Sequence, residues 1–486
     1  MDYKITGHNP EKFFHFFEEI SAIPRGSKNE KAISNYLVEF AKARNLWFHQ
    51  DDLYNVIIKK EGSKGAENLP PVMLQGHIDM VCEKLADVEH DFTQDGLDLI
   101  IKDGMLTANG TTLGADNGVA IAFMLMVLED ESIQHPPLEC VFTTQEEIGL
   151  CGAAALDKSL ISARTMINMD SEEEGIATVS CAGGLRVLFS RQVKREETEG
   201  SLMHLSISGL LGGHSGSDAH KERQNGNLLL ARIIYHLLKN TDAQLVNFSG
   251  GTKDNAIPRE SDATLVYGNK DAAVKAKKIA QEFLTKLTEE LIASEPNFRC
   301  TITTEDSQKV SALSKEDANA LINAMYLAPN GVQKRNVKMD GFVVVSSNLG
   351  IVSTEESRIC MVFSPRSSVA SLMEDFKERL SLLADTFGFE IEYSGEYPGW
   401  SFVEESPIRK VFLESYRSIF GKELKIEAIH AGLECGLFSD ALPGLDAIAV
   451  GPTIHNCHTP DEYLPLDSLE RFYTLLKEVL KRLAER

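Results

Sequence analysis

Apolar residues along this chain recur first at helical spacing and then in short extended runs. Pro10 to about Ile20 reads as an amphipathic helix that Pro24-Arg25-Gly26 breaks. The stretch KNEKAISNYLVEFAKARN follows, with Ile33, Tyr36, Leu37 and Phe40 on one helical face. Short apolar runs at Asn55–Lys59, Val72–Leu74, Leu138–Thr143 and Thr165–Met169 predict strands. Between two of them, Val119–Leu128 is apolar on nearly all sides and predicts a buried helix. Strands alternating with helices in this way predict an α/β layer with a mostly parallel sheet.

The pattern changes after Ser180-Cys181-Ala182-Gly183-Gly184. Alternating strands are expected at Leu202–Ser208, Ala263–Tyr267, Thr301–Thr304 and Ile359–Phe363, with amphipathic helices at Leu228–Leu238, Ala272–Leu291 and Ser368–Thr386. This grouping suggests an α+β domain inserted into the first. At Tyr397-Pro398-Gly399-Trp400 the chain returns to the α/β layer, which a helix at Ile408–Phe420, the strand Ala447–Val450 and a terminal helix over 467–483 complete. The expected organisation is therefore a catalytic domain in two parts, 1–185 and 397–486, interrupted by an inserted α+β domain over 186–396.

The length of 486 residues fits two domains of unequal size. A net charge of −23 argues against nucleic acid as a partner, because a phosphate backbone needs clustered Lys and Arg. No apolar run approaches the roughly 18 residues that a membrane span requires. The first twenty residues lack the basic and then apolar regions of a secretory signal. Eight cysteines stand singly with no CxxC pair, as expected of reduced, buried thiols in a cytoplasmic protein.

The candidate chemistry lies at the ends of the predicted strands. After Val72-Met73-Leu74 comes Gln75-Gly76-His77-Ile78-Asp79; in extended chain His77 and Asp79 point to the same side. A carboxylate beside a histidine can fix its tautomer and turn its free nitrogen to a metal. LGADNG carries Asp116 into the buried helix, VFTTQEEIG places Glu146 and Glu147 just past a strand, and NMD does the same for Asp170. AVGPTIHNCHTPDE sets His455 and His458 beyond the last strand. Any one of these alone is more often a cap or a satisfied polar residue. Together, five segments deliver His, Asp, Glu, Asp and His to one rim of an open sheet, where ligands bind. Carboxylates and imidazoles suit zinc, manganese or cobalt. The set is too large for one tetrahedral zinc and fits two ions about 3.5–4 Å apart sharing a carboxylate.

In their order, GHIDMV, LGADNG, TQEEIG, NMDSE and HTPDE resemble the dinuclear-zinc exopeptidases of the aminoacylase and carnosinase family. GADNGVA, TTQEEIGLCGA, GGHSG, NAIPRE and HAGLECG look most like its aminoacyl-histidine (Xaa-His) dipeptidase branch, so the resemblance spans essentially the whole chain. It implies that His77, Asp116 and Asp170 hold one ion and that Asp116, Glu147 and His458 hold the other, with Asp116 bridging. It also implies that Glu146 is the general base toward a metal-held water, that Asp79 orients His77, and that the insert is a lid on which His214 polarises the scissile carbonyl. Asn255 and Arg366 become candidates for the substrate carboxylate, and His430 and Glu434, expected in the catalytic domain, candidates for lining the pocket. Cys435 and Cys457 read as thiols rather than ligands, and His455 as structural.

The function these residues lead us to expect is metal-dependent hydrolysis of dipeptides, Xaa-His and the β-Ala-His type included, with two divalent ions per chain, zinc first and cobalt or manganese as alternatives. The competing expectations are a related metallo-amidohydrolase acting on N-acyl amino acids or tripeptides, and a non-catalytic peptide- or metal-binding module. The expected partners are small dipeptides, with no nucleic acid and no membrane, and a homodimer formed through the lid.

Overall fold

The structure, a computed structural model, describes residues 3–339 and 341–485. The chain separates into two compact units. The first comprises Met1–Cys181, Phe402–Ala428 and Leu433–Arg486; the second comprises Ala182–Ser401 and Ile429–Gly432. The insert thus runs a few residues wider than the 186–396 expected. His430, expected with the catalytic segment, belongs to the second unit, because the short piece Ile429–Gly432 packs there while Glu434 remains in the first.

In the first unit, eight strands among the described residues form one sheet. Its order is Trp47–Gln50, Val56–Lys60, Leu138–Thr143, Val72–His77, Thr165–Asn168, Asp446–Ala449, Ile176–Cys181 and Lys425–Ile429. The four central strands, from Leu138–Thr143 to Asp446–Ala449, are parallel. Val56–Lys60 and Trp47–Gln50 add antiparallel strands on one side, and Ile176–Cys181 does so on the other. Val72–His77 and Leu138–Thr143 are buried at every position, which explains their continuous apolar reading.

The helix Ala115–Glu129 is sheathed all round, as its apolar composition requires. Phe123 meets Phe13 of the first helix at 4.8 Å and Phe472 of the last at 5.2 Å. Burying such rings contributes roughly 1.5–3 kcal/mol each. Gly76 lets this helix sit directly on the strand: a Cβ there would stand 2.3 Å from the Ala120 methyl.

The second unit is built on an antiparallel sheet of eleven strands among the described residues. Its longest element is the ribbon Arg195–Ser208 with Arg299–Leu313, far longer than the expected run at Thr301–Thr304. Much of the second strand is exposed and polar, so it carries no apolar alternation to read. Four helices pack with this sheet: Gly226–Asn240, Lys270–Leu291, Lys315–Leu327 and Ala370–Phe387. The third was not anticipated, although its start is signalled by Ser314, whose side chain accepts from the Asp317 amide. No helix among the described residues is long and apolar enough to cross a membrane. Of the eight cysteines, Cys140, Cys181, Cys360 and Cys435 are buried, Cys82 is exposed and the others lie between, so the expectation of buried thiols holds for half of them.

Candidate metal centre

The parallel strands of the first unit end at one rim, and the candidate residues sit on it. His77 is the last residue of Val72–His77, Glu146 and Glu147 follow Leu138–Thr143, and Asp170 follows Thr165–Asn168. His458 lies in the loop beyond Asp446–Ala449. Asp116 comes from the opening of the buried helix, where Asp116 and Asn117 have non-helical dihedrals and a cis peptide joins them. Two non-glycine residues of the rim, Gln145 (φ 52°) and His458 (φ 64°), occupy left-handed backbone that L residues rarely adopt. Such geometry persists only where surrounding contacts enforce it.

One oxygen of Asp116 stands 3.1 Å from His77 Nε2 and the other stands 3.2 Å from His458 Nε2. Asp170 Oδ1 is 3.5 Å from the same His77 nitrogen, and Glu147 Oε1 is 3.1 Å from the same His458 nitrogen. The donor atoms of His77, Asp116 and Asp170 fall within 4.8 Å of one another, and so do those of Asp116, Glu147 and His458. Glu146 groups with His77 and Glu147 by the same measure.

These spacings fit cations. Ligands about 2.0 Å from a tetrahedral zinc ion lie about 3.3 Å from each other, the separation seen here. Among the described residues no Lys or Arg pairs with Asp116, Glu146, Glu147 or Asp170. Without cations, the carboxylates can be compensated only by protonating their own imidazoles: hydrogen bonding to Asp116 and Glu147 pushes His458 up to about 11. A protonated imidazole cannot ligate, and a metal takes the place of that proton. Glu147 Oε1 is buried and faces His458 Nε2, the same nitrogen that meets Asp116.

Asp79 is fully buried. Its backbone oxygen and Oδ1 lie 3.2 and 3.5 Å from His77 Nδ1, which leaves Nε2 as the outward-facing nitrogen. The same carboxylate accepts the amides of Glu146 and Glu147 and the Ser27 hydroxyl, so it joins the histidine to the glutamate pair. Burial raises the Glu146 carboxyl well above its ordinary range, with neighbouring carboxylates adding to the effect against the pull of His77. Glu434 lies beneath this rim with no exposed surface, its Oε2 taken by Gln75 Nε2 and by Thr143 Oγ1 at 2.8 Å. His455 stands apart, paired with Tyr463 through backbone and ring. Cys435 is buried, whereas Cys457 is half-exposed with its thiol near Glu172 and Asp116.

The family signature of Peptidase family M20/M25/M40 matches residues 73–482. The chain belongs to this family. It is 36% identical over 477 residues to the cytosol non-specific dipeptidase of Escherichia coli (strain K12), covering 98% of each chain. The crystal structure of aminoacylhistidine dipeptidase from Vibrio alginolyticus superposes with a TM-score of 0.92 at 35% identity, covering 99% of this chain and 98% of that one. Aminopeptidase PepT from Bacillus cereus, at 16% identity, 98% and 99% coverage and a TM-score of 0.56, shares the fold.

The second unit of this M20 peptidase gathers a separate polar group. Gly216 marks its centre: a Cβ there would stand 2.4 Å from the His430 oxygen, 3.0 Å from His214 Cε1 and 3.1 Å from Arg366 Nε. His214 pairs across a two-residue ladder with Ala256, and the Ser215 amide donates to the Asn255 oxygen, which brings Asn255 alongside. His214 Nδ1 accepts the amides of Gly216 (3.2 Å) and Ser217 (3.0 Å). The proton of the neutral ring is therefore on Nε2. Burial and the charge of Arg366 lower the His214 pKa, which keeps the ring neutral. His430 is buried against Ser346 Oγ at 2.7 Å, and burial, with Arg366 nearby, brings its pKa down to about 3. Arg366 gives Nη1 to Tyr397 at 3.0 Å, and its buried Nε has no acceptor.

Among the buried charged residues of the first unit that sequence reading passed over, two lie behind the rim. Arg25 was seen only as part of a helix-breaking turn, and Glu462 only as the last letter of HTPDE. Nothing local marks either; their partners lie far away in sequence.

Proposed function

We propose that this M20 peptidase is a metal-dependent dipeptidase that accepts Xaa-His dipeptides, the β-Ala-His type included. The observation that carries the reading is Asp116, with one oxygen toward His77 and the other toward His458, near the half-buried Glu146. The E. coli relative is named a non-specific dipeptidase and the Vibrio structure an aminoacylhistidine dipeptidase, which supports the substrate class.

Two divalent cations, one held by His77, Asp116 and Asp170 and the other by Asp116, Glu147 and His458, would acidify a shared water and polarise the scissile carbonyl. Zinc suits the mixed imidazole and carboxylate donors, and cobalt or manganese are compatible. Glu146, whose carboxyl is raised above its ordinary range by desolvation, takes the proton of the attacking water at its carboxylate and returns it to the leaving amine. Asp79 holds the His77 ring and the Glu146 amide in one frame. His214, with its proton fixed on Nε2, donates to the carbonyl oxygen as negative charge develops. Arg366, with its free Nε, and Asn255 hold the substrate carboxylate, and His430 braces that corner. Glu434, being buried, supports the rim through Gln75 and Thr143. We assign the protein to the cytoplasm, as the name of the E. coli relative suggests, and to a homodimer formed through the second unit, without nucleic-acid or membrane partners.

The test is release of free histidine from a dipeptide panel that includes β-Ala-His. The protein is stripped with a chelator and re-metallated with zinc, manganese or cobalt. Metal-restored cleavage that falls roughly 10²–10⁴-fold in Glu146→Gln, with both metals retained, is the expected result. Cleavage of N-acyl amino acids and of no dipeptide would overturn the substrate assignment. Full turnover by the variant would overturn the role of Glu146.

A further inference from the structure

Of the five segments that carry the ligand candidates of the first unit, those of His77, Asp116 and His458 are tied to each other by two buried residues of opposite charge, Arg25 and Glu462. Glu462 is 1% exposed and accepts four consecutive backbone N–H groups. Its Oε2 takes the amides of Leu113 (2.8 Å) and Gly114 (2.9 Å); its Oε1 takes those of Ala115 (2.8 Å) and Asp116 (3.3 Å). A residue of the His458 loop thereby fixes the backbone that presents Asp116.

Arg25 closes the arrangement from the other side. Its guanidinium, 2% exposed, donates Nη2 to the Gly114 carbonyl at 2.5 Å and Nη1 to the carbonyls of Ile78 (3.2 Å) and Asp79 (3.3 Å). The segment after His77 is thus bound to the segment before Asp116. The packing leaves no slack: a Cβ at Gly114 or Gly118 would stand 2.6 or 2.7 Å from Arg25 Nη2, and Gly114 takes a φ of 64°. A fully buried charge is costly unless paired and hydrogen-bonded. Here Glu462 is hydrogen-bonded through both oxygens and Arg25 through Nη1 and Nη2, its buried Nε having no acceptor, and every partner is backbone that flanks a ligand candidate.

We propose that Arg25 and Glu462 are positioning residues for the reaction, clamping the loops of His77, Asp116 and His458 so that Asp116 faces both histidines at once. Neither residue touches substrate or cation; each acts through backbone. The inference rests on the function proposed above. Residues that orient ligands in this indirect way typically affect metal affinity or activity by about 10–100-fold.

The experiment compares Glu462→Gln with Glu139→Gln. Glu139 is a matched control: it is also buried in the first unit, 2% exposed, and accepts the amides of Ser162 and Ala163, but it lies at the start of the strand whose far end leads to Glu146. The carboxamide of Glu462→Gln keeps the shape but loses acceptors, so two N–H groups would face an NH₂. Metal content after dialysis against a zinc buffer, zinc affinity by titration, thermal midpoint of the metal-free protein, and kcat and KM at saturating metal are all read.

The expected result is a folded Glu462→Gln protein whose second zinc binds about tenfold or more weakly, with kcat down about tenfold or more and KM within about twofold. Glu139→Gln loses thermal stability but keeps wild-type metal binding. Glu462→Gln that binds two zinc ions with wild-type affinity, or that changes only in thermal midpoint as Glu139→Gln does, overturns the proposal. Should Glu462→Gln not fold, Arg25→Lys carries the test. It keeps the charge but loses the fork across Gly114 and Asp79, so it should weaken zinc binding in the same direction; wild-type affinity there overturns the proposal. A wild-type protein that binds no metal and cuts no dipeptide would instead defeat the underlying functional reading.

Discussion

The two polar clusters of this protein are opposite in what they lack. At the rim of the first unit the grouped side chains are carboxylates and imidazoles, and the buried oxygen Glu434 Oε1 has no hydrogen-bond donor. In the second, Arg366 Nε is a buried donor without an acceptor, and His214 presents an Nε2–H whose other nitrogen is already occupied. An acceptor-rich cluster calls for cations; a donor-rich one calls for a carbonyl or a carboxylate. A buried polar atom left unpaired costs about 1–3 kcal/mol, so each cluster records the chemistry of what completes it. The architectures differ to match. Parallel strand ends converge on a rim and can focus several side chains on one point, whereas the antiparallel unit supplies single donors from a loop, a short ladder and one buried corner.

Removing the shared carboxylate is the strongest way to break this contrast. Asp116→Ala should abolish both cation positions, with activity down by about 10³-fold or more and metal content falling well below two per chain. Elemental analysis alongside histidine release measures both, and two retained ions would refute the bridging role.

His214→Ala should do the reverse. Turnover should drop about 10²–10³-fold, the size of a lost oxyanion donor, while metal content stays at the wild-type value. Loss of metal in this variant would mean that the clusters are not separable in function.

A smaller effect is expected at Arg366→Met. Losing a charged hydrogen bond to the substrate carboxylate is worth about 1.5–3 kcal/mol, which should appear as a roughly 10–100-fold rise in KM with little change in kcat. A kcat effect without a KM effect would move Arg366 out of substrate binding.

The mildest prediction concerns acid stability. His430 is held at about 3 by burial, with Arg366 adding to the effect, against an ordinary value of 6.5. On acidification the unfolded chain gains a proton that the folded ring refuses. The stability from this neutral ring is therefore complete above pH 6.5 and is lost as pH falls toward 3. Over the first 1.5 pH units of that fall the loss amounts to about 2 kcal/mol. Urea titrations at two pH values should show a shallower acid dependence for His430→Gln; an unchanged slope would mean that the ring is protonated in the fold.

Much of the fold was legible because burial is periodic. The helix expected at Ala272–Leu291 spans Lys270–Leu291, and the strand at Leu138–Thr143 has the bounds its apolar run suggested. The exposed strand Arg299–Leu313 was seen only in part because most of it is not buried, whereas the helix Lys315–Leu327 was missed although its face Asp317, Ala318, Leu321, Ile322 and Met325 is buried. The candidate site was legible for a different reason. Chemistry-bearing residues sit just past apolar strands, and a parallel sheet sends all such ends to one side.

By itself, then, the sequence determined which segments carry the site and what type of donor each supplies. The family resemblance implied how those donors divide into two groups, and the tertiary structure decided the contacts by which they do so. Which oxygen of Asp116 meets which histidine depends on a contact between residues 342 positions apart, and the Glu462 bond to the Asp116 amide spans 346. The separation of His430 from Glu434, four residues on, depends on which unit each segment packs with. The proton on His214 Nε2 depends on two amides that turn back onto Nδ1. Local periodicity reports which face of an element is buried. It holds no information about which distant backbone meets that face, and hydrogen-bond partnership is a property of that meeting.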